Sequence, residues 1–98
     1  MKVRKLHEKD WHYLPNWEGV ADRESLPQNG TGGFIIEAQP DRTPIAALWI
    51  DIKEDIATMS NTISNEMYKD TDKEDAIHHL EKFSADFVAT MEYELIKQ

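Results

Sequence analysis

Residues 33–52 read "GFIIEAQPDRTPIAALWIDI". Two apolar runs flank the five residues "QPDRT", in which Pro40 and Asp41 carry turn chemistry, so the stretch predicts an antiparallel β-hairpin. The rest of the chain can be placed around it. Upstream, "KVRKL" (residues 2–6) has the length and alternation of a short strand, with Val3 on one face and Arg4 and Leu6 on the other. "HEKDWHYL" then puts Glu8 and Asp10 in a first helical turn and spaces Trp11 and Leu14 for one face, with Trp17 continuing the stripe and Pro15 ending or kinking the helix. Residues 16–33 are irregular or briefly helical, punctuated by Pro27, Asn29 and glycines.

Downstream, a tight turn at Lys53 and Glu54 leads into "DIATMSNTIS" (residues 55–64), whose Thr and Ile content predicts a further strand. A long helix follows. Ala76, Ile77, Leu80, Phe83, Ser84, Phe87, Val88 and Met91 recur at the 3, 4, 3 spacing of one face, while His78, His79, Glu81, Lys82, Asp86 and Glu92 take the other. Thr71 followed by Glu74 forms a capping box that sets helix entry near Asp72. The stretch "YELIK" (residues 93–97) alternates again and reads as a last strand. The expected fold is therefore a single α/β (α+β) domain over residues 1–98, ordered β-α-β-β-β-α-β, with a mostly antiparallel mixed sheet and a long C-terminal helix packed on it.

Composition narrows the function classes. A chain of 98 residues has room for one core. With no cysteine, disulfides, thiolate metal sites and cysteine nucleophiles are excluded, which suits a cytoplasmic setting. The basic start "MKVRKLHEKDW" has no apolar stretch behind it and is expected not to be a targeting signal, and no run approaches the roughly 18 apolar residues of a membrane span. A formal net charge of -8 disfavours direct nucleic-acid binding and favours a protein partner with a basic surface. Basic residues gather at Lys2, Arg4, Lys5 and Lys9, and acids at 51–55 and 70–75.

The stretches "MKVRKLHEKDW", "LPQNGTGGFIIEA", "PIAALWI" and "ISNEMYKDTDKEDAI" resemble, in that order, small GNAT-like proteins of phages and mobile elements. The order of elements is similar to the first half of the GNAT-type N-acetyltransferase fold, and "LPxNGTGGF" is the most specific marker. The resemblance implies acyl-CoA lying against a fourth strand near residues 57–64, with its pyrophosphate on the amides where the next helix begins. Such a helix start offers unpaired N–H donors and a positive dipole end. Lys69, Thr71 and Lys73 would then be the phosphate contacts. The family signature there is Arg or Gln, two residues, a Gly, one residue, then Gly or Ala. Here Lys69 takes the basic position, but Asp72 and Glu74 stand where the small residues belong. Each close like-charge contact with a phosphate costs about 1 kcal/mol even near solvated surface. The same acids stabilise an empty helix by roughly 0.3–1 kcal/mol each through its dipole.

Two functions follow from this reading. One is a catalytically degenerate GNAT-like protein with no cofactor, binding a basic protein partner through Asp70, Asp72, Glu74 and Asp75; an inhibitor of a nucleic-acid-handling or defence enzyme is one version. The alternative is an acetyl-CoA-dependent N-acetyltransferase, completed by dimerisation. The family fold continues past a fifth strand, here "YELIK", so a half-fold is expected to leave that edge open to homodimerisation. Other chemistry is poorly supported. His78 and His79 are adjacent on a helix and point about 100° apart, so they cannot chelate one ion together. Neither they nor His7 and His12 form a nucleophile, base and orienter set with Ser60, Ser64 or Ser84. Trp11, Trp17 and Trp49 are expected to fill the core. The glycines of "NGTGG" run from a loop into a strand rather than from a strand into a helix, so they read as conformational rather than phosphate-binding.

Overall fold

The structure, a computed structural model, describes residues 1–12, 14, 17, 32–65, 68 and 73–97. The expected mixed, mostly antiparallel sheet with one long helix packed on it is present. Its strands are β1 (Lys2–Lys5), β2 (Gly32–Glu37), β3 (Pro44–Lys53), β4 (Ile56–Met59), β5 (Ile63–Ser64) and β6 (Glu94–Lys97). The helix is α1 (Lys73–Thr90). The order across the sheet is β1-β2-β3-β4-β6, with β5 on the same side of β3 as β4 along the chain's return. All described pairings are antiparallel except β4 with β6, which the crossover through α1 makes parallel.

The hairpin read from residues 33–52 is β2 and β3. Its turn is closed by Ala38 N–H donating to the Thr43 carbonyl at 2.8 Å, and Arg42 takes a positive φ of 62°. Ile36 pairs with Ala46 but Glu37 pairs with Pro44, so Ile45 is an extra residue in β3. This bulge lets Ile45 and Ala46 both contribute to the core under the helix, where strict alternation would have separated them.

The sheet buries both faces, for different reasons. Beneath α1 lie Phe34, Ile36, Leu48, Ile50, Ala57 and Met59, meeting Ala76, Leu80 and Val88. Phe34 holds two helix rings edge-on, Phe83 at 5.2 Å and Phe87 at 5.1 Å between centroids. Ser84 is fully buried, its hydroxyl donating to the Leu80 carbonyl at 2.8 Å, so a polar residue sits on the packed face without an unmet donor. On the opposite face, Leu6, Leu14 and Trp17 pack against Ile35, Ala47, Trp49 and Ile63. Phe83 departs from the buried stripe of the sequence: it is 41% exposed, despite touching Phe34, because it lies at the margin of the helix's contact face.

Three element boundaries differ from the sequence reading. The first helix is a short 3-10 helix, Glu8–His12, where the expected order had an α-helix. It is specified by a reciprocal cap: His7 N–H donates to Asp10 Oδ2 at 2.8 Å, and Asp10 N–H to the His7 carbonyl at 2.9 Å. Residues 55–64 form two strands rather than one. Ser60 breaks the run by folding inward, its hydroxyl accepting the Trp49 N–H at 3.0 Å and donating to the Asn61 carbonyl at 3.1 Å. The β3 to β4 turn falls one residue later than expected, at Glu54 and Asp55, with Glu54 at φ 57°. The capping-box residue Thr71 lies outside the described residues, and α1 begins at Lys73. At its other end Glu92 takes φ 59°, with Glu92 N–H on the Ala89 carbonyl and Tyr93 N–H on the Val88 carbonyl, the pattern of a Schellman cap built without glycine.

Two glycines of "NGTGG" have defined work. Gly32 adopts φ 84° where β2 begins. Gly33 lies so close to β3 that an added Cβ would clash with the Leu48 carbonyl oxygen and stand 2.8 Å from Trp49 Cα.

Candidate functional site

Of the residues singled out around the helix start, Lys69, Asp70, Thr71 and Asp72 lie outside the described residues. Lys73 is half-buried in the first turn of α1, and Glu74 and Asp75 are exposed beside it. Further along the same outward side are His78, His79, Lys82, Phe83 and Asp86, all exposed. His79, Lys82, Phe83 and Asp86 line a shallow depression of about 240 Å³. Among the described residues no three His, Asp or Glu side chains gather so as to hold a metal ion, and no helix is long and apolar enough to cross a membrane. The stretch offered for acyl-CoA, residues 57–64, is held on both sides where it is β4, by β3 and by β6, and its Ala57 and Met59 side chains belong to the core.

A larger cavity lies on the face of the sheet opposite α1, and local sequence spacing did not reveal it. It has a volume of about 610 Å³ and is lined by Arg4, Lys9, Asp10, Trp17, Glu37, Arg42, Pro44 and Asn65. Its floor is an ion cluster built by strand register. Arg4 pairs with Ile35 across β1 and β2, so its side chain leaves on the face away from α1, as does Glu37 two residues along β2. Arg4 Nε donates to Glu37 Oε2 at 2.9 Å. Its Nη1 and Nη2 grip Asp10 Oδ2 and Oδ1, both at 2.9 Å, and Nη1 also reaches the Lys5 carbonyl at 3.0 Å.

This arrangement is mostly buried. The Asp10 and Glu37 side chains are 3% and 7% exposed and that of Arg4 25%. The bonds to Asp10, and next those to Glu37, hold the Arg4 guanidinium charged well above the ordinary arginine range, against the opposing effect of burial. Asp10 is satisfied several times over, by Arg4 and by the His7 N–H. Glu37 is not: among the described residues its Oε1 accepts no hydrogen bond. Lys9 and Arg42, both exposed at the rim, make no ion pair among the described residues.

The sequence reading placed Arg4 on the correct face but gave it no role, and took Asp10 only as a first-turn acid. The one local signal was the His7 and Asp10 spacing of a cap. Glu37 could not be joined to them without the register. Compared with known proteins, the chain matches no family model, no curated protein and no solved structure. The likeness to N-acetyltransferases rests on the sequence stretches alone.

Proposed function

We propose that the chain is a catalytically degenerate GNAT-like protein acting in the cytoplasm as an acidic protein-binding module, with the outward face of α1 as its contact surface. The observation that carries this reading is Phe83, a large aromatic 41% exposed on a helix whose outward side also presents Glu74, Asp75 and Asp86. An exposed aromatic on a helix that also presents carboxylates suits a partner that offers an apolar socket within a basic surface, such as the groove of an enzyme that handles nucleic acid. Asp70 and Asp72 precede the same helix and would extend that charge. In the same reading β6 pairs a second copy: it ends the sheet order, and Ile96 on it is 44% exposed.

The test is affinity capture from lysate, followed by a binding titration of the captured protein against the chain and two variants, Phe83→Ala and the charge reversal at Asp70, Asp72, Glu74 and Asp75. Affinity should fall at least about tenfold for each and should weaken with salt. Binding that ignores both variants would remove α1 as the surface.

A second reading has its own support. A strand, a helix and a strand parallel to the first, β4 to α1 to β6, is the order that the resemblance to acyl-CoA-dependent N-acetyltransferases implies. Lys73 with Lys69 and Thr71 would meet the pyrophosphate, against the opposing charge of Glu74 and Asp75. Calorimetric titration with acetyl-CoA separates the two: saturable binding near about 10 μM favours the transferase, and no binding at about 1 mM removes it.

A further inference from the structure

The cavity opposite α1 carries unmatched charge of both signs. At its floor, Glu37 is buried with Oε2 taken by Arg4 and no hydrogen bond to Oε1 among the described residues. At its rim stand Lys9, from the 3-10 helix, and Arg42, from the β2 to β3 turn, neither ion-paired among the described residues. We propose that this cavity binds an α-amino acid with an apolar side chain, its ammonium on Glu37 Oε1 and its carboxylate toward Lys9 and Arg42.

The alternatives fit less well. Arg4 is no anion receptor, because its Nε and both terminal nitrogens are already engaged with Glu37, Asp10 and the Lys5 carbonyl. An anion without a donor would bring a second negative charge against Glu37, at a buried floor where Asp10 already lies beside Arg4. A plain cation would satisfy Glu37 but would have to pass Lys9 and Arg42 and leave both unmatched. A zwitterion meets both sets at once, and charge-assisted bonds at each end fix its orientation. The remaining wall supplies Trp17 and Pro44, which an apolar side chain can cover, and about 610 Å³ is within the range of small-ligand sites. The site lies on the other face of the sheet from α1, so it does not depend on the protein-binding reading.

Calorimetric titration of the full chain with phenylalanine and leucine tests this, with N-acetylphenylalanine lacking the ammonium and phenethylamine lacking the carboxylate. We expect saturable binding of an amino acid with a Kd below about 1 mM, and at least about tenfold weaker binding of both truncated probes. Lys9→Ala with Arg42→Ala should weaken amino-acid binding about tenfold with the thermal midpoint unchanged, since both side chains are exposed. Glu37→Gln should weaken it similarly, with retained circular dichroism showing that the fold persists. Should Glu37→Gln fail to fold, the exposed double variant decides. The proposal is overturned if none of the twenty amino acids binds at about 10 mM, if the truncated probes bind as well as phenylalanine, or if the double variant binds like the parent.

Discussion

Replacing Arg4 by Met tests whether the ion cluster holds the N-terminal segment to the sheet. Methionine keeps an unbranched apolar stem and removes only the guanidinium, so the packing loss is small. What is lost is three charge-assisted bonds of 2.9 Å and one to the Lys5 carbonyl at 3.0 Å. Asp10 keeps the His7 N–H, but Glu37 loses its one described partner in a setting where its side chain is 7% exposed. Breaking a buried pair by removing one member costs about 3–5 kcal/mol, chiefly by stranding the other charge. Domains of this class have about 5–15 kcal/mol in total, so the variant should retain roughly half its stability and melt about 15–30 °C lower.

Urea unfolding followed by tryptophan fluorescence measures this, because Trp17 and Trp49 pack in the cluster that the N-terminal segment closes. In the parent, the raised Arg4 pKa means its contribution is fully present below the unfolded-state value and is lost only in strong alkali, so it is constant across the neutral range. The triple variant Arg4→Met, Asp10→Asn, Glu37→Gln should recover at least half of the loss at pH about 7. A cost below about 1 kcal/mol, or a triple variant no better than the single one, would refute the stranding argument.

Gly33→Ala should destabilise by about 3 kcal/mol or more, since the new methyl meets β3 backbone rather than a movable side chain; chemical denaturation would show a lowered midpoint with unchanged slope. Glu92→Gly should raise the melting temperature, by relieving about 1 kcal/mol of left-handed strain at the α1 cap, and a drop on calorimetry would contradict the cap geometry. Ser60→Ala should cost about 1–3 kcal/mol by removing the hydroxyl that accepts the Trp49 N–H, with faster amide exchange at Trp49 as the local readout. Leu80→Ala, in the fully buried centre of α1, should cost about 2–5 kcal/mol in the same unfolding assay.

Much of the fold was legible because its signals are local. The two apolar runs of residues 33–52 and the turn chemistry between them gave β2 and β3, and the 3, 4, 3 spacing gave α1 with Ala76, Leu80, Ser84 and Val88 inward. Failures came where a neighbour in space outweighed the local pattern. Residues 55–64 read as one strand, yet the Ser60 hydroxyl is drawn in to meet the Trp49 backbone and splits them. Phe83 reads as core by spacing, but the helix packs so that its ring is half outside.

Periodicity, turn residues and charge are properties of neighbouring residues, so the elements, their faces and the net acidity could be read along the chain. The ion cluster depends instead on contacts between distant segments. Arg4 meets Glu37 across 33 positions of chain because β1 and β2 pair in one register, and a slip of one residue would turn one of the two side chains toward the helix face. Asp10 joins them only because a short helix, capped by its own carboxylate, sets that side chain against the strand edge. Register and cap bring distant charges together, and no spacing along the chain encodes that meeting.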